Sequence, residues 1–218
     1  MKNDMKLRQD VMDELAYEPS ISANEIGVAV KDGVVTLSGA VGSYAQKRAA
    51  EHCAERVSGV RALADALEVR LPNALAKSDT DIARAAANAL DWDIEVPDSI
   101  KVRVENCWLY LDGSATWQFQ KAAAERAVRY LTGVRGVTNL VTVKPSKKVS
   151  EFDVSDKIRA ALRRTADLEA NKISVETADG KVTLRGTVRS WAERDDAERA
   201  AWSALGVRDV EDRITIGA

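Results

Sequence analysis

The segment DGVVTLSGAVGSY at 32–44 returns as DGKVTLRGTVRSW at 179–191, with its glycine, its Thr-Leu pair and its closing aromatic in place. Gly39 and Gly186 mark the two copies, and Gly113 in WLYLDGSATW falls midway between them. Twenty residues after each marker stands a Gly-Val pair, at Gly59-Val60, Gly133-Val134 and Gly206-Val207, and twelve after each stands Glu51, Glu125 or Glu198. A repeat of about 73 residues is too long for a solenoid unit of roughly 20–50 residues. Each copy must therefore bury a core of its own. The chain divides into small domains at 1–72, 79–145 and 152–218, joined by PNALAK and PSKKVS.

Periodicity orders the elements within a copy. Leu7/Val11/Leu15, Ile82/Ala86/Leu90 and Val154/Ile158/Leu162 recur every four residues, as on one face of a helix. Asn3/Asp4, Ser78 with Asp81, and Asp153 with Asp156 signal the helix starts. An alternating strand follows, with Ile26, Val28 and Val30 in copy one, Ile100, Val102 and Val104 in copy two, and Ile173 and Val175 in copy three. Asp32-Gly33 and Asp179-Gly180 supply the positive φ of a tight hairpin. The next strand sets Val35, Leu37, Gly39 and Val41 on one face, as Val182, Leu184, Gly186 and Val188 do in copy three. A second helix, alanine-rich on one face, and a third strand close the unit. The fold class is α+β: three tandem αββαβ two-layer domains, each a three-stranded sheet covered on one face by two helices.

Parity assigns roles to several side chains. Gly39, Gly113 and Gly186 lie on core-facing positions, where the missing side chain lets a helix backbone approach the sheet; their role is structural. Tyr44 and Trp191 precede the second helix at equivalent places and are expected to staple it to its own core; Trp117 stands one place earlier. Cys53 replaces an alanine and reads as a buried, inert thiol. In copy two, Leu109 and Leu111 point inward, so Trp108 and Tyr110 face outward, beside Lys101 and Arg103 on the neighbouring strand. Aromatics flanked by cations suit a membrane interface. They equally suit docking against a neighbouring domain. Trp92, in the loop after the first helix, is a further exposed-anchor candidate.

Composition narrows the function. With 32 basic against 34 acidic residues and a net charge of −2, the chain lacks the basic surplus of a general nucleic-acid binder. Two cysteines and one histidine, His52, are too few for a Cys/His metal site, and no phosphate loop or nucleophile elbow occurs. No metal, cofactor or catalytic group is expected. MKNDMKLRQDVMDELAY carries helical periodicity rather than a leader's apolar run, so the chain as given reads as cytoplasmic. A trimmed leader would make it periplasmic.

The G-x-V-T-L-x-G-x-V pattern, at 33–41 and 180–188, with the late Gly-Val and the αββαβ order, resembles the BON domain family. Copy two departs from it, with Asn106-Cys107 in place of Asp-Gly. The resemblance implies a non-catalytic binding module for phospholipid or a membrane surface, in an osmotic or envelope stress setting. The alternative is a cytosolic protein-interaction or stress scaffold gaining avidity from three weak sites. The candidate site is the free sheet face of domain 2: Trp108, Tyr110, Lys101 and Arg103. Oligomeric state is not legible in the residues.

Overall fold

The computed structural model describes residues 3–146, 150–164 and 172–217. Domain 1 runs α1 (Asp4–Tyr17), β1 (Ile26–Lys31), β2 (Val34–Val41), α2 (Tyr44–Arg56) and β3 (Ala62–Val69). Domain 2 has α3 (Asp79–Trp92), β4 (Lys101–Glu105), β5 (Trp108–Asp112), β6 (Ser114–Ala115), α4 (Gln118–Val128), β7 (Gly136–Asn139) and β8 (Thr142–Val143). Domain 3 has α5 (Glu151–Arg164), β9 (Ile173–Ala178), β10 (Lys181–Val188), α6 (Trp191–Trp202) and β11 (Asp209–Ile216). The second strand is central in each sheet, antiparallel to the first and parallel to the third.

The apolar stripes do what their spacing predicts. Leu7, Val11 and Leu15, then Ile82, Ala86 and Leu90, then Val154, Ile158 and Leu162 are all buried, each set inside its own domain's core. Each leucine, isoleucine or valine so buried contributes about 1.5–3 kcal/mol. Asn3 caps α1 by accepting from the Met5 amide, and Ser78 caps α3 by accepting from the Asp81 amide. The third start differs from expectation: α5 begins at Glu151, which leaves Asp153 inside the first turn rather than at the cap.

The marker glycines are explained by the neighbouring strand rather than by a helix. Their φ angles are +116°, +126° and +149°. A Cβ added at Gly39, Gly113 or Gly186 would collide with the backbone carbonyl of Glu25, Ser99 or Lys172, at the entry to the first strand. The close approach is therefore lateral, within the sheet.

The hairpins also carry a tether. In domain 1 the turn residues Asp32 and Gly33 have φ of 52° and 77°, and their amides donate to the Asp4 carboxylate at 2.8 and 3.1 Å. In domain 2 Asn106 and Cys107 take φ of 52° and 63°, and their amides donate to Asp79 at 2.8 Å each. The first residue of the first helix thus grips the turn that follows.

The second helices meet head to tail. Tyr44, at the start of α2, enters the domain 2 core with Ile82, Ala86 and Leu90. Trp191, at the start of α6, packs against the domain 1 core. The start of α4 faces the end of α6 across a groove lined by Trp117, Phe119 and Trp202. The expectation that Tyr44 and Trp191 staple their own helices is corrected: each ring is lent to the next domain around a three-membered ring. Their parity within a copy could not reveal a contact between copies.

Candidate functional site

The free sheet face of domain 2 follows from strict alternation on β4 and β5. Leu109 and Leu111 are fully buried, so Trp108, Tyr110 and Asp112 project from the opposite face. Register sets Arg103 beside Tyr110, Glu105 beside Trp108 and Lys101 beside Asp112. The four residues that the sequence singles out are therefore brought together on one surface.

Their geometry is specific. The Arg103 guanidinium lies 4.1 Å from the centre of the Tyr110 ring, and its Nη1 donates to Glu105 at 2.9 Å. A stacked cation of this kind adds about 0.5–1 kcal/mol at an exposed site. The Trp108 ring lies over Gly136, whose missing side chain makes the space, and its Nε1 donates to Thr138 Oγ1 at 2.8 Å. The indole is consequently laid flat on the sheet, yet 40% of Trp108 remains exposed. Among the described residues, Arg103, Gly136 and Thr138 meet these rings, and all three belong to domain 2. Lys101 is exposed and has no ion-pair partner among the described residues.

The equivalent faces of the other domains are chemically different. Domain 3 presents Lys181, whose ammonium is 3.0 Å from Glu211 and 3.8 Å from Asp209, with Arg213 also on Glu211 and Arg185 on Glu176. Domain 1 presents exposed Val34, Ser38, Ala62, Ala64 and Ala66 around Thr36. Among the described residues, only the sheet face of domain 2 combines aromatic surface with cations.

Other candidates fall into place. His52 is exposed on α2, 3.3 Å from Glu55. Cys53 is buried, and burial pushes its thiol up. That makes it a poor nucleophile. Trp92 is the last residue of α3 rather than a loop residue; it is 89% exposed, and Ile94 beside it is fully exposed. Sequence reasoning missed the groove between α4 and α6, because no single-copy pattern encodes a seam. No group of His, Cys, Asp and Glu fit to hold a metal occurs among the described residues. Nor is any described helix long and apolar enough to cross a membrane.

Comparison with known proteins gives a consistent picture. The family model described as "BON domain" matches residues 3–70, 78–145 and 150–218. Osmotically-inducible protein Y of Escherichia coli is 32% identical over 141 residues, which span 61% of this chain and 69% of that protein. Among solved structures, the type III secretion protein CdsD of Chlamydia trachomatis aligns over 97% of this chain and 92% of its own, at 15% identity and a TM-score of 0.28. The PrgH periplasmic domain aligns over 95% of this chain and 100% of its own, at 13% identity and a TM-score of 0.23. Overlaps that slight add nothing to the reading.

Proposed function

Because the chain belongs to the BON domain family, as three tandem copies, we propose that it is a non-catalytic module that attaches to phospholipid surfaces through the free sheet face of domain 2. The observation that supports this is the uncovered platform of Trp108, Tyr110, Arg103 and Lys101. Amphipathic Trp and Tyr rings favour the headgroup region, and long cationic stems reach phosphate while keeping their charge in water. Near-zero net charge means that attachment depends on this local arrangement rather than on long-range attraction. The name of the related osmotically-inducible protein supports an osmotic-stress setting. A scaffold of three equal weak sites is less well supported, since the three faces carry different chemistry.

The test is co-sedimentation with vesicles of phosphatidylglycerol and phosphatidylcholine beside phosphatidylcholine alone. We expect binding to the anionic set, weakened at least tenfold by joint Trp108→Ser and Tyr110→Ser and also by joint Lys101→Gln and Arg103→Gln, with the fold intact by circular dichroism. Binding that survives both pairs removes the platform from the mechanism, and no binding to either vesicle removes the lipid reading.

A further inference from the structure

The edges of the three sheets are not equally protected, and from the exception we infer that the outer edge of β4 takes up an extended peptide, added antiparallel with an acidic residue opposite Lys101. A sheet edge carries backbone N–H and C=O groups with no strand to meet them, and folded proteins mask such edges. On the third strand of every domain a side chain accepts the amide two residues on. Asp65, Asn139 and Asp212 accept from Leu67, Val141 and Ile214 at 3.0, 3.3 and 2.8 Å. In domain 1 Lys47 also donates to the Leu67 carbonyl at 2.8 Å.

On the first strands the mask is an arginine of the first helix. Arg8 Nε donates to the Val28 carbonyl and Arg159 Nη2 to the Val175 carbonyl, each at 2.9 Å. Arg8 directly follows the buried Leu7, and Arg159 the buried Ile158, so the guard stands on the same side of the helix at one of two successive turns. In domain 2 both of those places are alanine, Ala83 after Ile82 and Ala87 after Ala86, although α3 packs on β4 just as α1 packs on β1. Arg84 is held by Asp81 at 2.6 Å instead. Among the described residues no side chain donates to or accepts from the backbone of β4. Val102 is left half-buried, whereas Val28 and Val175 are buried.

Hairpin register fixes which groups of β4 are free. Glu105 and Trp108 close the two-residue turn. Bonded and non-bonded pairs alternate from there, so Val102 and Val104 turn their N–H and C=O groups away from β5. The same alternation makes Val28 and Val175 outward-facing in their domains, and theirs are the carbonyls that the arginines hold. Outward donors and acceptors that recur every second residue along a strand match an extended main chain. The side chains beside them set its composition. Val102 and Val104 pack towards the helices and favour β-branched residues opposite them. Lys101, on the free face and without an ion-pair partner among the described residues, favours a carboxylate. This inference does not rest on lipid attachment, because its ligand is a polypeptide and its contacts are backbone groups at the sheet edge.

The experiment titrates the full ¹⁵N-labelled chain with the peptide acetyl-Thr-Val-Thr-Val-Glu-amide, whose valines fall opposite Val104 and Val102 and whose glutamate falls opposite Lys101. Saturable shifts of the Val102 and Val104 amides are expected, with both amides slowed in hydrogen exchange when the peptide is bound. The same peptide N-methylated at both valines keeps its side chains but cannot pair, and it should not bind. A peptide ending in lysine instead of glutamate should bind several-fold more weakly. Ala83→Arg, which restores the guard of domain 1, should weaken the parent peptide at least tenfold. Ala87→Arg restores the guard of domain 3 and carries the test if the first variant does not fold. The inference is overturned if the peptide at millimolar concentration moves neither valine amide, if the N-methylated peptide binds as well, if both arginine variants bind as the parent does, or if sedimentation and exchange find β4 already covered by a second copy.

Discussion

Domains 1 and 3 hold their second helix to their third strand with an ion pair, and domain 2 does not. Lys47 reaches Asp65 at 2.6 Å, and Arg194 reaches Asp212 at 2.5 Å. The matching residues of domain 2 are Lys121 and Asn139, and there the amide Nδ2 donates to the Lys121 carbonyl at 2.8 Å. Domain 2 also breaks its sheet: Gly113 separates β5 from β6, and Leu140 and Val141 separate β7 from β8. Yet its apolar core and its marker glycine persist. Comparing the domains separates what specifies the fold from what decorates it. Aliphatic stripes, the lateral close approach and the carboxylate grip on the hairpin are common to domains 1 and 2, whereas the ion pair between second helix and third strand is exchanged for an amide contact.

The largest expected effect tests whether the broken sheet of domain 2 relaxes the demand for its glycine. The geometry says that it does not. An alanine Cβ at Gly113 meets the Ser99 carbonyl, just as one at Gly39 or Gly186 meets Glu25 or Lys172, and all three positions have positive φ. Gly113→Ala, Gly39→Ala and Gly186→Ala should each destabilise their own domain by about 3 kcal/mol, the sum of backbone strain and displaced strand entry. Hydrogen exchange resolved by domain reads this, since three linked domains need not melt as one unit. If Gly113→Ala proves mild while the other two are severe, the sheet interruption has absorbed the clash and the comparison fails at its strongest point.

An exchange of charges accounts for the missing tether. In domain 1 Lys47 and Arg48 face Asp65 and Glu51; Arg48 pairs with Glu51, whose carboxyl is nonetheless pushed up by burial. Domain 2 has Ala122 in the place of Arg48 and Asn139 in the place of Asp65, so one cation and one anion are absent together. Lys121 and Glu125 remain, and burial pulls the Lys121 ammonium down while Glu125 draws it back. Asn139→Asp alone therefore adds an acid 3.5 Å or so from Glu125, which already lies at that distance from Asn139 Nδ2. We expect it to be neutral or destabilising, whereas Ala122→Arg with Asn139→Asp rebuilds the domain 1 quartet with a favourable coupling of about 1–2 kcal/mol. The sign with pH follows. A lysine held below its ordinary value carries a penalty while charged in the folded chain, so domain 2 gains stability as pH rises through the alkaline range towards the ordinary lysine value. Lys121→Met should flatten that rise; a rise that persists assigns it to another group.

Most of the fold was legible in the residues, because each domain repeats a periodic signal and three copies sharpen it. The buried stripes, the inward Leu109 and Leu111, and the outward Trp108 and Tyr110 all follow from parity alone. What parity cannot carry is contact between copies. Tyr44 and Trp191 sit at equivalent places, so they read as staples within a domain, although each serves its neighbour. The grip of Asp4 and Asp79 on their hairpins was hidden for a related reason: the partners are 28 or 29 residues apart in domain 1 and 27 or 28 in domain 2, linked through the fold rather than through a local motif.

That grip gives the smallest and most discriminating test of the domain 2 departure. Cys107 occupies a left-handed position where the other hairpins place Gly33 and Gly180. Replacing Cys107 by glycine relieves about 1 kcal/mol of backbone strain. Glycine's greater freedom in the unfolded chain offsets much of that gain, and so does the loss of a half-buried thiol packed against the domain 2 core. The net change should stay within about 0.5 kcal/mol. The reverse substitution is not symmetrical. A Cβ at Gly180 would meet the Gly206 carbonyl at 2.9 Å, a backbone atom that cannot step aside, so Gly180→Cys should cost about 1 kcal/mol or more. At Cys107, by contrast, the two turn amides are anchored on Asp79, which holds the strained conformation in place. Asp79→Ala should therefore make Cys107→Gly clearly stabilising in domain-resolved hydrogen exchange. If glycine gains nothing even without the carboxylate, the strain at Cys107 is not what Asp79 restrains, and the divergent hairpin needs a different physical account.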